Sequence, residues 1–352
     1  MSYARIAVIG IALGLVAHVR PAGADVPPLA DLLDRYTQAL DATQSFISTW
    51  ELSSLGSSNV PSWGLKTSNA KKFARGEHRT DGKGNRSDTS HQWGHLSGKD
   101  LTEDKAHYFR NVYGDGFIYS LNKGLGQDVH PGQLTYQDET SKDFEMYRQA
   151  GGYFARSGTA GYFLGYFQTR ARLDRVLKKA LRISVRRTPA RINGSLCYVV
   201  QATTRRGRFT VWLDSEHGYH PARIEGYVGP GHDIGDPGSP HIIKRREAIT
   251  RRYTVENIRF ERVDGVWTPM EADSKTHIVL GYENGFSTSH AHFKRTKIVL
   301  NPDHDALHSF GDPTQQPHLD PELTDGTIVL GRGPKSIWRS GRIVPLAQAK
   351  ER

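Results

Sequence analysis

Between Leu29 and Leu40 the apolar residues fall at helical spacing. Leu29, Leu32, Leu33, Tyr36 and Leu40 make one stripe, with Asp31, Asp34, Arg35, Gln38 and Asp41 around it, and the pattern predicts an amphipathic helix over 29–43. Pro28 and Asp31 suit its start. From Phe46 the texture changes to short runs rich in Val, Ile, Tyr, Phe and Thr between turn residues: Phe46–Trp50, Lys71–Arg75, then a turn over 81–85, then a hairpin of 107–113 and 116–120 about Gly114-Asp115. Residues 121–150 are polar and show no clear period. Leu173, Val176, Leu177 and Leu181 give a second helical stripe. Beyond it come strands at 181–186, 195–203, 208–213, 219–228, 249–262, 266–274, 276–282 and 289–299, separated by turns such as Asn193-Gly194, Arg206-Gly207 and Asp264-Gly265. This spacing predicts an antiparallel meander and not βαβ units. Two short strands, 327–330 and 336–338, are expected in the Pro- and Gly-punctuated tail, with a frayed end over 347–352.

Two segments break the pattern. Residues 1–24 run from a basic start through an apolar stretch, Ile6–Val19, to Ala22-Gly23-Ala24. That is the order of a cleavable signal peptide, and the stretch is shorter than the roughly 20 residues that span a bilayer. The expected location is therefore outside the cytoplasm, in the periplasm or cell envelope. Residues 151–167 hold five glycines and six aromatics, too flexible for a helix and too apolar for a solvated loop, a composition suited to a segment covering an apolar surface.

Composition narrows the function classes. The chain of 352 residues carries 47 Lys and Arg against 37 Asp and Glu, a net charge of +10. Export argues against nucleic acid as the partner of that charge and points to anionic envelope components or peripheral contact with anionic lipid. The basic face is expected at Arg182, Arg186, Arg205 and Arg206. A single cysteine, Cys197, excludes an internal disulfide, and its apolar surroundings in 196–200 read as core. The histidines occur in pairs (His91 and His95, His290 and His292, His304 and His308), fewer than the three or four ligands zinc requires. There is no Gly-x-Ser-x-Gly and no phosphate-binding glycine loop. No metal, cofactor or catalytic residue is expected from these patterns.

The order of helix, strands, second helix and long meander resembles the outer-membrane lipoprotein-carrier family, the LolA/LolB-like proteins. The residues that carry the resemblance are Leu32-Leu-Asp-Arg-Tyr36, Trp212-Leu-Asp-Ser-Glu-His-Gly-Tyr219 with Pro221-Ala-Arg223, Asp264-Gly-Val-Trp-Thr-Pro-Met270, and the closing Asp325–Val329 with Trp338–Gly341. The resemblance implies an α+β fold: a strongly curved antiparallel sheet, an incomplete β-barrel, with covering helices over 25–300 and a small C-terminal extension with short strands over 301–352. Relative to the simple carriers, 56–100 and 229–240 look like insertions. It also implies a non-catalytic carrier of a lipid or acylated protein, acting as a monomer. The apolar cavity is expected among Leu33, Tyr36, Leu40, Tyr162, Phe163, Leu164, Phe167, Trp212 and Trp267, with the helix and 151–167 as a lid. Two other classes fit the same sequence: a surface protein-interaction module with no small ligand, and an envelope hydrolase whose site has no sequence signature.

Overall fold

The computed structural model describes residues 26–61, 65–96, 99–114, 117–123, 133–138, 162–163, 165–167, 172–233, 242–244, 248–281, 284–310, 328–330, 336–340 and 342–345. The signal-peptide reading, Leu164, and most of the 151–167 cover and of the 229–240 loop lie outside these residues.

Helix α1 is Leu29–Ala42, within one residue of its sequence expectation. The strands that follow are β1 (Ser45–Val60), β2 (Leu65–Asp81), β3 (Arg86–Leu96), β4 (Lys99–Leu101), β5 (His107–Gly114), β6 (Phe117–Lys123) and β7 (Gln133–Asp138). After the short helix α2 (Leu173–Lys178) come β8 (Arg182–Val185), β9 (Ala190–Ile192), β10 (Ser195–Thr204), β11 (Gly207–Asp214), β12 (Pro221–Val228), β13 (Ile249–Val263), β14 (Val266–Leu280) and β15 (Gly285–Leu300). Three tail strands, β16 (Ile328–Leu330), β17 (Ser336–Arg339) and β18 (Arg342–Pro345), complete the order.

All eighteen described strands belong to one large, curved, unclosed sheet. Its centre is β1, which pairs antiparallel with β2 on one side (Phe46 opposite Thr80) and with β15 on the other (Phe46 opposite Leu300). One wing runs β2, β3, β5, β6, β7. The other runs β15, β14, β13, β12, β11, β10, with β8 and β9 sharing the last edge. The expected incomplete barrel is this sheet.

Several expectations change. The runs 266–274 and 276–282 are one continuous strand, because β13 and β15 flank it on both sides through Ser274 and Lys275. Leu181 does not extend the α2 stripe. Its N–H already bonds to Thr203 O as the chain enters the sheet, and its side chain is exposed. Residues 56–60 are the end of β1, and 65–96 are β2 and β3 with the turn between them, so the described part of this stretch is built into the sheet. The tail is tied in as well, since β16 pairs parallel with β7, Ile328 opposite Gln133.

The main apolar cluster lies on one face of β10–β15, under α1, Tyr162–Phe167 and α2. Strand alternation builds that face: Val200, Ala202, Phe209, Val211, Leu213, Ile224, Tyr253 and Val255 point inward, and most of their neighbours, Val199 and Asp214 excepted, are more exposed.

Candidate functional site: the covered face of the sheet

Four residues of the α1 stripe, Leu32, Leu33, Tyr36 and Leu40, are buried against this face. Tyr162, Phe163 and Phe167 follow, then Leu173, Val176 and Leu177 of α2. Of the expected cavity set, Leu33, Tyr36, Leu40, Tyr162, Phe163 and Phe167 therefore meet in one cluster. Burial pushes the Tyr36 and Tyr162 hydroxyls well above the ordinary phenol range. Trp212 and Trp267 do not join them. Val211 and Leu213 face inward, so Trp212 faces outward, where Arg223 lies 5.3 Å from its ring centre. Trp267, half-buried beyond the irregularity at Met270 in β14, packs edge-on against His217 at 4.6 Å, outside the cluster.

Two glycines let the cover seat closely. A side chain on Gly226 would come within 2.6 Å of Phe167 Cε1, so the Phe167 ring fills the space a residue there would occupy. Gly165 has φ +79°, and a side chain on it would strike Leu40 at 2.8 Å. Polar ties between cover and sheet are few among the described residues. Tyr162 Oη donates to Pro221 O at 2.6 Å, and Arg35 donates to Tyr219 Oη at 2.7 Å. The cover itself is cross-tied. Arg172 grips Asp174 through Nε and Nη2 at 2.9 and 2.6 Å and reaches Asp41 of α1 at 2.7 Å, while Lys178 reaches Asp34 at 2.8 Å. Burial works against the Arg172 charge, but both carboxylates outweigh it and hold the guanidinium above its ordinary value.

The residue that sequence reasoning missed is Arg295. It lies in β15 just before a register shift, where Thr49 pairs with Lys297 but Trp50 with Arg295. The bulge keeps Phe293 and Arg295 on the inner face while turning Ile298 and Leu300 inward after it. Arg295 is 4 % exposed, between the rings of Phe46 (4.7 Å) and Phe163 (4.8 Å). It donates to Pro269 O at 3.1 Å and to Phe163 O, in the cover, at 3.4 Å. No carboxylate pairs with it among the described residues. Burial pushes it down to about 9, so it is charged at neutral pH.

The outer face of the same strands is basic. Arg182, Thr203, Arg208, Tyr227 and Arg252 form one cross-strand row, bordering a groove of about 790 Å³ that also meets Glu225. Arg208 lies over the Tyr227 ring at 4.4 Å. Of the expected basic residues, Arg182 lines this groove. Arg186 and Arg205 are exposed nearby, and Arg206 is half-buried in the β10–β11 turn.

For chemistry, Cys197 is fully buried and its thiol is pushed up to about 12 by that burial, which removes it as a nucleophile. His217 Nδ1 sits 2.8 Å from Asp214, but that carboxylate also accepts the Glu216 N–H, and the imidazole is stacked on Phe260. The pair stabilises the β11–β12 turn. His292 pairs with Asp273 at 2.8 Å and His95 with Asp100 at 3.0 Å. Among the described residues no group of three or more His, Cys, Asp and Glu is placed to hold a metal ion.

No protein-family model matches this chain, and no curated protein does. Among solved structures it is similar to a DUF1329 family protein from Desulfovibrio piger, at 14% identity over 79% of this chain and 95% of that one, with a TM-score of 0.32. It is also similar to a lipovitellin structure described by its lipid–protein interactions, at 10% identity over 74% of this chain and 26% of that one, with a TM-score of 0.26. The chain thus spans about a quarter of the lipovitellin chain.

Proposed function

We propose that this protein is an exported, non-catalytic carrier that binds a lipid or the acyl chain of a lipoprotein between the sheet and its cover. The observation behind this reading is the construction of the cover. A thin layer of α1, Tyr162, Phe163, Phe167 and α2 lies on a broad apolar face, held to it by apolar contact and, among the described residues, few hydrogen bonds, and braced internally by Arg172. Such a layer can lift as a unit, and an acyl chain can then replace its side chains on the sheet. Each methylene so buried contributes about 0.8 kcal/mol. The sequence resemblance to the lipoprotein-carrier family favours the same reading. The basic outer groove would face anionic lipid or an acidic partner.

The test is uptake of an acyl fluorophore by the delipidated protein, with mass spectrometry of lipids that accompany it from the envelope fraction. Gly226→Ala should displace Phe167 from its seat, loosen the cover and speed fluorophore uptake several-fold. A lesion that merely damaged the fold would slow it. Absence of uptake by both forms, together with no enriched lipid, would sink the carrier reading in favour of an interaction module.

Arg295 gives a second check. Desolvating a buried ion costs several kcal/mol, and no carboxylate among the described residues offsets that cost at Arg295. Arg295→Met should therefore leave the urea midpoint unchanged or raise it, while removing the hydrogen bond to Phe163 O and speeding fluorophore release. A large drop in the midpoint would show that the guanidinium is retained for stability and not for closure.

A further inference from the structure

We propose that a second pocket, between the C-terminal end of α1, the β2–β3 turn and α2, binds a phosphate-type oxyanion. Its volume is about 320 Å³. Lys83 of the turn, Arg86 of β3, Arg172 at the start of α2 and Arg175 of α2 line it, together with His78 of β2, and no carboxylate does among the described residues. Leu40 and Phe163 form an apolar wall.

These cations are not equivalent. Arg172 is neutralised by Asp174 and Asp41 and serves as frame. Arg86 is held over the Tyr113 ring at 4.0 Å. Lys83 and Arg175 are exposed and form no ion pair among the described residues, so their charge is available. The turn carrying Lys83 is fixed from within. Asp81 Oδ1 accepts the N–H groups of Lys83, Gly84 and Asn85 at 2.8–3.0 Å, which commits those backbone donors and leaves anion recognition to side chains.

The second observation is His78. The residue is 8 % exposed, its Nδ1 is bonded to Asp88, and its Nε2 is buried with no hydrogen-bond partner. With Nδ1 engaged by Asp88, Nε2 is the ring nitrogen left to bond an occupant of the pocket that the side chain lines. A buried ring nitrogen without a protein partner gains from a hydrogen bond to an occupant of the pocket. Donors converging from three elements suit a tetrahedral anion with several oxygens better than a single carboxylate. The volume and the Leu40–Phe163 wall leave room for an organic substituent, so the ligand class is a phosphate ester. It reaches the pocket either as a lipid headgroup or as a soluble ester.

Calorimetric titration of the full chain at low ionic strength tests this, with inorganic phosphate, glycerol 3-phosphate and dihexanoyl phosphatidic acid as probes. Saturable binding of at least one ester is expected. The double variant Lys83→Ala/Arg175→Ala changes only exposed positions, should fold normally, and should bind about tenfold more weakly. Added salt should weaken binding in the same direction. Equal affinity for the two esters assigns a soluble ester, and a preference for the lipid assigns a headgroup. No saturable binding of any probe, or affinity unchanged in the double variant, overturns the proposal. Glycerol 3-phosphate needs no apolar interior, so its binding stands even if acyl fluorophore uptake fails.

Discussion

Arg172→Leu should destabilise the protein by about 3–5 kcal/mol, read as a lowered urea midpoint at neutral pH. Arg172 and Asp174 are 6 % and 1 % exposed and joined by two parallel hydrogen bonds. Removing the guanidinium leaves a carboxylate in the interior with its charge unmatched. Burial already pulls against Asp174, and Arg172 reverses that pull, holding the group below its ordinary value. The folded value lies under the unfolded one. The stabilisation is therefore present above about pH 4 and is lost as pH falls through the carboxylate range. In the variant Asp174 takes up a proton more readily, so the deficit should shrink in acid. Arg172→Leu/Asp174→Leu should recover most of the loss, because no stranded charge remains. A single variant that costs under about 1 kcal/mol would mean that the pair does not hold the cover together.

Acid should weaken the fold by about 3 kcal/mol between pH 6.5 and 4, from His220 alone. This side chain is 2 % exposed, and burial pushes it down to about 4, with the Arg295 charge adding to the effect. Below about pH 6.5 the unfolded chain binds a proton that the folded chain refuses until about pH 4, so stability falls with pH across that window. His107 and His304 are shifted the same way by burial and add to the slope. His220→Gln keeps a donor toward Trp267 without titrating. Denaturation midpoints from pH 7 to 4 should fall less steeply in this variant, and superposable slopes would show that another group carries the acid sensitivity.

Much of this architecture is legible in the chain itself. The α1 stripe gives its helix almost to the residue, and the Asn193-Gly194, Arg206-Gly207 and Asp264-Gly265 turns mark three hairpins. Period two also holds the information that would have excluded Trp212: if Val211 and Leu213 face the core, the residue between them cannot. What resists reading is non-local. The break expected at Lys275 vanishes because two neighbours hydrogen-bond across it. β7 lies in a polar segment with no period, and its partners are β6 and β16, about 190 residues away in the second case. Arg295 looks like one cation among many in a basic strand. It shares the inner face with Phe293, but the one-residue bulge after it turns Ile298 and Leu300 inward too, so period two counted back from Leu300 puts it outside. The oxyanion pocket is assembled in the same way, from β2, a turn, β3 and α2, each of which reads separately as a solvated basic stretch.

The parallel union of β16 with β7 sets a condition on biosynthesis. The partner that covers the outer edge of β7 is not made until residue 328, some 190 residues after β7 itself. Until then a strand finished near residue 138 offers unpaired amide and carbonyl groups to any other extended chain. A chain crossing a membrane unfolded would wait through that interval with its edge open, so a chaperone that shields backbone edges, more than one that shields apolar side chains, is the helper this topology calls for.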